Sequence, residues 1–432
     1  MHNIVEQDIG TSLTSRILLV DHMCVLPYGH NLNALVLFEK ALRPFFGSSV
    51  SLAASDLPDE AEQSAFVDRI LSYPYDGLID AAQTRKTRIN ASSGRSSASL
   101  LKTLSRRAFY TSLNVLIKYD YVLARTVRNW KKVFRRYDIG PNDTIFFPSA
   151  EYYGCLSLLE LLRTLPAAQR PKVHFRMIGV MESANYTLGS GRPRFFAEVR
   201  RAISDKIQLS ISAETPPYCE LIERLVGAPV VYMPYPLANQ QEALNWGDVK
   251  VVASPGQGRV DKGYMRLSSI INGLLKRGAL ERFSFDVQGM RTSDNHYRPR
   301  YESILKHIPN LTLRPARMTQ AEIEDAYRSS DILVLPYDSE TYAFRGSAVY
   351  QEGLAIGRPV VCSASLGFSG LVTKYGNGLL ATSDQEFADK IIELAAWSKD
   401  TIEQRMTAAR FLYQKDFEQG LMNVLGGLND DH

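Results

Sequence analysis

Short apolar runs that stop at polar or glycine-bearing loops, each followed by a stretch of helical period, recur along the whole chain, and this alternation is what most narrows its fold. Ile17-Leu18-Leu19-Val20 stops at Asp21-His22; a loop through Pro27-Tyr28-Gly29-His30-Asn31 follows, then a helical stretch from Leu32 to Leu42. Strand, glycine loop, helix is the opening of an α/β unit. Further strands read at Thr144–Pro148, Val173–Val180 and Ile207–Ser212. A second series begins with strand Val249–Ser254 and helix Tyr264–Lys276, then Phe283–Val287 and Tyr297–His307. Leu311–Arg314 and Gln320–Ser329, Ile332–Pro336 and Ser347–Ile356, Pro359–Cys362 and Asp384–Ala396 complete it. Strands alternating this regularly with helices imply parallel sheets covered on both faces. The class is therefore α/β, with two doubly wound domains facing a cleft. Between the series, Val230-Val231-Tyr232-Met233 runs into Pro234-Tyr235-Pro236, where prolines stiffen the chain into a linker. This gives a first domain at 1–236, a second at 237–410, and a helical tail at 411–432 that packs back on the first.

Composition removes other classes. At 432 residues the chain exceeds one ordinary core, and 45% apolar with 22% charged residues is neither disordered, collagenous nor coiled-coil. No apolar run reaches the roughly 18 residues of a spanning helix. Met1 to Arg16 lacks the basic start and apolar middle of a signal peptide, so the expected location is cytoplasmic. Cys24, Cys155, Cys219 and Cys362 have no zinc-like spacing and read as small buried hydrophobes. The net charge of +4 hides an asymmetry: Gln83 to Tyr137 holds fourteen Lys or Arg against one acid, Asp120. Ser92 to Ser97 reads as a loop within this block. After it, Phe109, Leu113, Leu116, Leu123, Val127, Trp130, Phe134 and Tyr137 form a helical apolar seam, with Lys118, Arg125, Arg128, Lys132, Arg135 and Arg136 opposite. Such a helix suits an anionic membrane surface or a lipid diphosphate; equally, it suits a solvated helix whose seam packs on its own domain. Nucleic acid is not an expected partner, because the aromatics follow the seam rather than interleaving with the charges.

The loops after the strands carry the chemistry, since ligands of such sheets bind at the strands' carboxyl ends. After Pro336 a polar loop delivers Arg345-Gly346-Ser347 to a helix start. Ser347 suits an N-cap, Gly346 admits a ligand close to the backbone, and the free N–H groups favour phosphate. Arg345 adds a possible bidentate phosphate contact. Glu352, in the next turns, offers a carboxylate to two sugar hydroxyls, and Gly357-Arg358-Pro359 closes the helix. Asp331–Cys362 resembles the donor-nucleotide motif of GT-B retaining glycosyltransferases, particularly glycosyltransferase family 4: a strand ending at Leu335-Pro336, a helix carrying Glu352-Gly353-Leu354-Ala355-Ile356, then Gly357-Arg358-Pro359-Val360-Val361. The run Val251 to Gly263, with Gly258, Arg259, Lys262 and Gly263, is similar to the strand that opens the same family's second domain. The resemblance covers about Val251 to Ala396 by motif and Ile17 to Pro236 by topology.

This resemblance implies a GT-B fold of two Rossmann-like domains and transfer of a sugar, of hexosyl type, from a nucleotide donor with retention and without a metal. Glu352 then binds the ribose, while Arg259 and Lys262 neutralise the departing diphosphate. A departure sits at Phe344, where the family places its first Glu. Glu340 lies four residues earlier and either substitutes for it or is a solvated loop acid; an Arg345-to-Ser347 turn is another way of holding the sugar. Gly289 and Met318 correspond to loops that contact the base, and both also read as plain turn residues. In the first domain, Gly29 lies in a loop approaching the diphosphate. His30 reads as an acceptor-side base or hydrogen-bond donor, or as a capping residue. Glu151 and Glu182 follow strands and reach toward the cleft, Glu182 at a place where relatives carry a polar acceptor-side group. Ser212 and Glu214 read as helix-capping residues. The expected partners are a UDP- or GDP-linked sugar as co-substrate, with no cofactor, and a glycan or lipid-linked acceptor in polysaccharide or glycolipid synthesis. A GT-B nucleotide-sugar epimerase and an inactive nucleotide-binding scaffold are the competing readings.

Overall fold

A computed structural model of the chain describes residues 15–25, 30–55, 57, 67–74, 121–179, 191–238, 242–290 and 298–429. In the first domain the elements run β1 (Arg16–Asp21), α1 (His30–Leu42), β2 (Ser48–Ala54), β3 (Val67–Leu71), α2 (Tyr121–Tyr137) and β4 (Asp143–Phe147). They continue with α3 (Tyr152–Arg163), β5 (Lys172–Met177), α4 (Gly191–Ser204), β6 (Leu209–Ala213), α5 (Pro216–Val226) and β7 (Val231–Tyr232). The second domain runs β8 (Lys250–Ser254), α6 (Leu267–Lys276), β9 (Phe283–Gln288), α7 (Arg298–Lys306), β10 (Leu311–Arg314), α8 (Gln320–Arg328) and β11 (Ile332–Leu335). After these come α9 (Ala348–Ile356), β12 (Val360–Ser363), α10 (Ser369–Tyr375), β13 (Gly378–Ala381), α11 (Asp384–Ala395) and α12 (Lys399–Asn429).

Two parallel sheets result, ordered β3-β2-β1-β4-β5-β6-β7 and β10-β9-β8-β11-β12-β13. Their central strands are buried along nearly their whole length without alternation, as strands covered by helices on both faces must be. In each sheet the strand order reverses once, between β1 and β4 and between β8 and β11. At such a reversal the adjacent crossovers leave to opposite faces and open a crevice at the carboxyl ends. Register pins the second crevice, with Ile332 opposite Val252 and Leu333 opposite Ala253.

Several elements differ from the sequence reading for identifiable reasons. The helix expected from Tyr264 starts as a tight turn, Tyr264–Arg266, because Gly263 is left-handed at φ +67°. The strand expected to reach Val180 ends at Met177. Arg125, expected on the solvated face of α2, instead donates to the Tyr73 carbonyl at 2.7 Å. The buried side of α2 is Val122, Leu123, Thr126, Trp130 and Val133, while Arg128, Lys131, Lys132, Arg135 and Arg136 are exposed. The part of the basic block before Tyr121 lies outside the described residues. All four cysteines are buried and free.

The C-terminal residues form one helix without a break at 410–411. Along α12, Ile402, Met406, Ala409 and Tyr413 pack in the second domain's core. Phe417, Leu421, Val424, Leu425 and Leu428 pack with Leu32, Leu35 and Phe38 of α1 in the first. Gly420 sits so close to Tyr232 and Met233 that a Cβ there would stand 2.5 Å from the Tyr232 carbonyl oxygen. One helix thus ties the two sheets together. Among the described residues no helix is long and apolar enough to cross a membrane.

Candidate functional site

The loop that leaves β8 folds directly onto the loop that leaves β11. Gly256 is left-handed at φ +102°, and a Cβ there would meet Val349 Cγ2 at 2.8 Å and Lys262 Nζ at 3.0 Å. A Cβ on Gly263 would collide with the Pro336 carbonyl. The Asp338 N–H donates to the Asp261 carbonyl at 2.9 Å. Glycines at these two positions let the basic turn lie flat against the start of α9. Arg259 is held there by Asp261 at 2.9 Å and donates to the Tyr342 hydroxyl at 2.7 Å. Its buried Nε has no hydrogen-bond partner among the described residues. Lys262 Nζ lies 5.8 Å from the Tyr337 ring centroid.

Ser347 caps α9, its hydroxyl accepting the Tyr350 N–H at 3.2 Å, and the helix ends at left-handed Gly357. Within α9, half-buried Glu352 bonds the Tyr327 hydroxyl and feels the charge of Lys262. Burial pushes its carboxyl above the usual range, and both partners oppose that shift. Arg259, Lys262, Ser347 and Glu352 are therefore brought together at the β8/β11 reversal.

The neighbouring loops close one wall. Gly258 donates to the Gly289 carbonyl at 3.0 Å, and Gly289 donates to the Arg314 carbonyl at 2.9 Å. Gln257 and Gln288 both donate to the Ala316 carbonyl, at 3.3 and 3.1 Å. A Cβ on Gly258 would meet the Tyr264 ring at 2.6 Å, so this position admits no side chain without displacement. Met318, just beyond, is buried.

Other expected residues lie differently. Glu340 is exposed and makes no hydrogen bond or ion pair among the described residues. Arg345, expected on phosphate, donates from Nε to the Gly179 carbonyl of the first domain at 2.9 Å. The Gly346 N–H is given to Glu214 Oε1 at 2.8 Å, so Glu214 does not cap its own helix. Ser212 instead bonds His174 Nε2 at 2.9 Å. Phe344 packs toward Tyr218, ring centroids 6.0 Å apart, and its carbonyl accepts the Thr215 hydroxyl at 2.6 Å. Glu151 is buried and caps α3, accepting the N–H groups of Tyr153 and Gly154. Gly29, Glu182 and the side chain of His30 lie outside the described residues.

The sequence reading missed a buried set at the carboxyl ends of the first sheet. Arg176 donates to the Met233 and Pro148 carbonyls at 3.2 and 3.0 Å, with Phe38 and Tyr235 over its guanidinium at 5.3 and 5.7 Å. Asp21 accepts from the Met23 N–H and the Asn31 amide; burial nonetheless pushes its carboxyl up to about 7. His22, stacked on Phe147 and beside Trp130, is pushed down to about 3 by burial. Polar residues at the carboxyl ends of apolar strands, Asp21 and Arg176, or just after one, His22, were the available signal.

Similarity to known proteins agrees with this geometry. Residues 250–396 match the family described as glycosyl transferases group 1. No curated protein matches the chain in sequence. Among solved structures, HepE of Anabaena in complex with UDP and glucose is 14% identical, with TM-score 0.59, covering 96% of this chain and 99% of that one. The sucrose-phosphate synthase of Thermosynechococcus elongatus is 15% identical, with TM-score 0.60 and coverage of 96% and 98%. The UDP-forming trehalose-phosphate synthase of Burkholderia xenovorans is 12% identical, with TM-score 0.59 and coverage of 96% and 99%. The chain has the GT-B fold. Its group 1 match begins at β8 and ends after α11, which is the GT-B domain that holds Arg259, Lys262, Ser347 and Glu352.

Proposed function

We propose that the chain is a retaining glycosyltransferase that moves a hexose from a nucleotide-activated donor to an acceptor hydroxyl. The observation that carries this reading is the convergence of two cations, a capped helix start and a half-buried carboxylate at one strand-order reversal. Glu352 accepts hydrogen bonds from the ribose hydroxyls. The diphosphate lies between the Arg259/Lys262 turn and the start of α9, where N–H groups and the positive helix end favour anions. As the glycosidic bond to phosphate breaks, negative charge grows on the leaving oxygen. The reading assigns Arg259 and Lys262 the role of neutralising it, without a metal. The departing phosphate accepts the acceptor hydroxyl's proton, so no dedicated base is assigned. The acceptor enters from the first domain, and the juxtaposed domains exclude water from the donor.

The exposed cations of α2 support an anionic partner, a lipid-linked acceptor or the membrane that carries it, and so a role in polysaccharide or glycolipid synthesis. Flotation with anionic vesicles checks this: the protein floats at low salt and is released at high salt. For the donor, a thermal-shift panel of UDP, GDP, ADP and their sugars gives a concentration-dependent rise with one nucleotide, lost in Glu352→Ala. Consumption of the sugar nucleotide without any acceptor would instead point to an epimerase.

A further inference from the structure

Glu214, a first-domain carboxylate, touches the start of α9 from the carboxyl end of β6. Oε1 accepts the Gly346 N–H at 2.8 Å, and Oε2 stands 3.6 Å from Arg176 Nη2, beyond hydrogen-bonding range. The Arg176 side chain is 1% exposed and Nη2 has no hydrogen-bond partner among the described residues, whereas Glu214 is 11% exposed. A carboxylate offers about four lone-pair directions. Gly346 uses one, so this carboxylate is charge-balanced but not saturated. It is also held firmly: the Thr215 hydroxyl bonds the Phe344 carbonyl, and Arg345 bonds the Gly179 carbonyl, on either side of the Gly346 contact.

The order of groups along α9 matches the order of parts in a sugar nucleotide. Glu352 lies five residues inside Ser347, about 7 Å along the helix axis at the usual rise. Moving from Glu352 to Ser347 and on to Gly346 goes from the ribose group to the diphosphate group and then into the first domain. A sugar carried on the outer phosphate projects the same way and meets Glu214. Of the acids in the second domain's own loop, Glu340 is exposed and Asp338 is exposed and accepts the Thr341 N–H, while position 344 is a phenylalanine packed toward Tyr218.

We propose that Glu214, braced by Arg176, is a specificity residue that accepts hydrogen bonds from hydroxyls of the transferred sugar. This rests on the nucleotide-sugar reading above. Because Glu214 comes from the first domain and the phosphate groups from the second, the sugar is recognised only where the two domains meet.

The test compares nucleotide with sugar nucleotide. The nucleotide among UDP, GDP and ADP that binds the full chain, and its glucose, galactose and N-acetylglucosamine conjugates where available, are titrated into wild type, Glu214→Gln and Glu214→Asp. Glu214→Gln keeps an oxygen for the Gly346 N–H and the side-chain shape. The proposal predicts nucleotide affinity within about twofold of wild type. It also predicts a loss of about tenfold or more for the sugar nucleotide that wild type prefers, as for hydrogen bonds to a charged group, with partial recovery in Glu214→Asp. Equal weakening of nucleotide and sugar nucleotide would mean a structural role and overturn the proposal. Tighter nucleotide binding in Glu214→Gln would also overturn it, since the carboxylate would then be competing with phosphate for Gly346. Either result leaves the nucleotide reading standing; failure of every nucleotide to bind wild type sinks both.

Discussion

Single residues set the tolerances of the site. Gly263 carries φ +67° directly under the Pro336 carbonyl, so Gly263→Ala meets both a left-handed backbone and a collision. The backbone alone costs about 1–2 kcal/mol. The variant should melt earlier and bind nucleotide more weakly, since Lys262 is the preceding residue; thermal melts with and without nucleotide read both effects. His22 gives a pH prediction. Burial holds its imidazole at about 3 instead of 6.5, so below pH 6.5 the unfolded chain takes up a proton that the folded chain does not. Stability from this group is present above pH 6.5 and falls as the pH drops toward 3, by up to about 1.4 kcal/mol per unit. His22→Phe removes that slope, and urea unfolding at about pH 7 and about pH 5 should show the variant losing less on acidification. The closeness of Arg259, Lys262, Ser347 and Glu352 was legible because each lies a few residues from a strand end or helix start in a recognisable order. Arg176 and Glu214 were not, because their meaning depends on partners far along the chain, such as Gly346, 132 residues from Glu214.

Elements were legible where burial on both faces leaves an unbroken apolar run. β4 and β11 are of this kind and were found nearly to the residue. β2 and β3 were missed: their half-buried residues and small or charged side chains, Ser48 to Ser51 and Asp68-Arg69, break the apolar signal. α12 was missed as a unit because its apolar side changes partners halfway, from the second domain's core to the first's, so no single stripe runs its length. Phe417 sits in the first-domain half of this helix, 3% exposed among Phe38 and Leu421. Phe417→Ala should cost about 3–5 kcal/mol, measured by denaturant unfolding, while leaving the residues around Glu352 in place. Ser347→Ala removes the α9 cap, with a cost of about 1 kcal/mol and a larger effect on nucleotide affinity than on the melting temperature.

At the scale of the molecule, two parallel sheets meet where the loops after β5 and β6 touch the loop after β11, and α12 fastens them. Alternation of strands and helices made the two-domain plan legible before any coordinate. The closeness of the domains was not legible, since it depends on Thr215 with Phe344, Glu214 with Gly346, and Arg345 with Gly179, contacts between loops with no periodic signal. The account stands on a diphosphate held between the Arg259/Lys262 turn and the start of α9, with ribose on Glu352. Calorimetric titration of UDP, GDP and ADP into wild type, Arg259→Ala and Glu352→Ala measures this directly. The account predicts that one nucleotide binds wild type and that each variant loses about tenfold or more in affinity, the scale of a lost charge-assisted hydrogen bond. Binding that is unchanged in both variants, or no binding of any nucleotide to wild type, would contradict it.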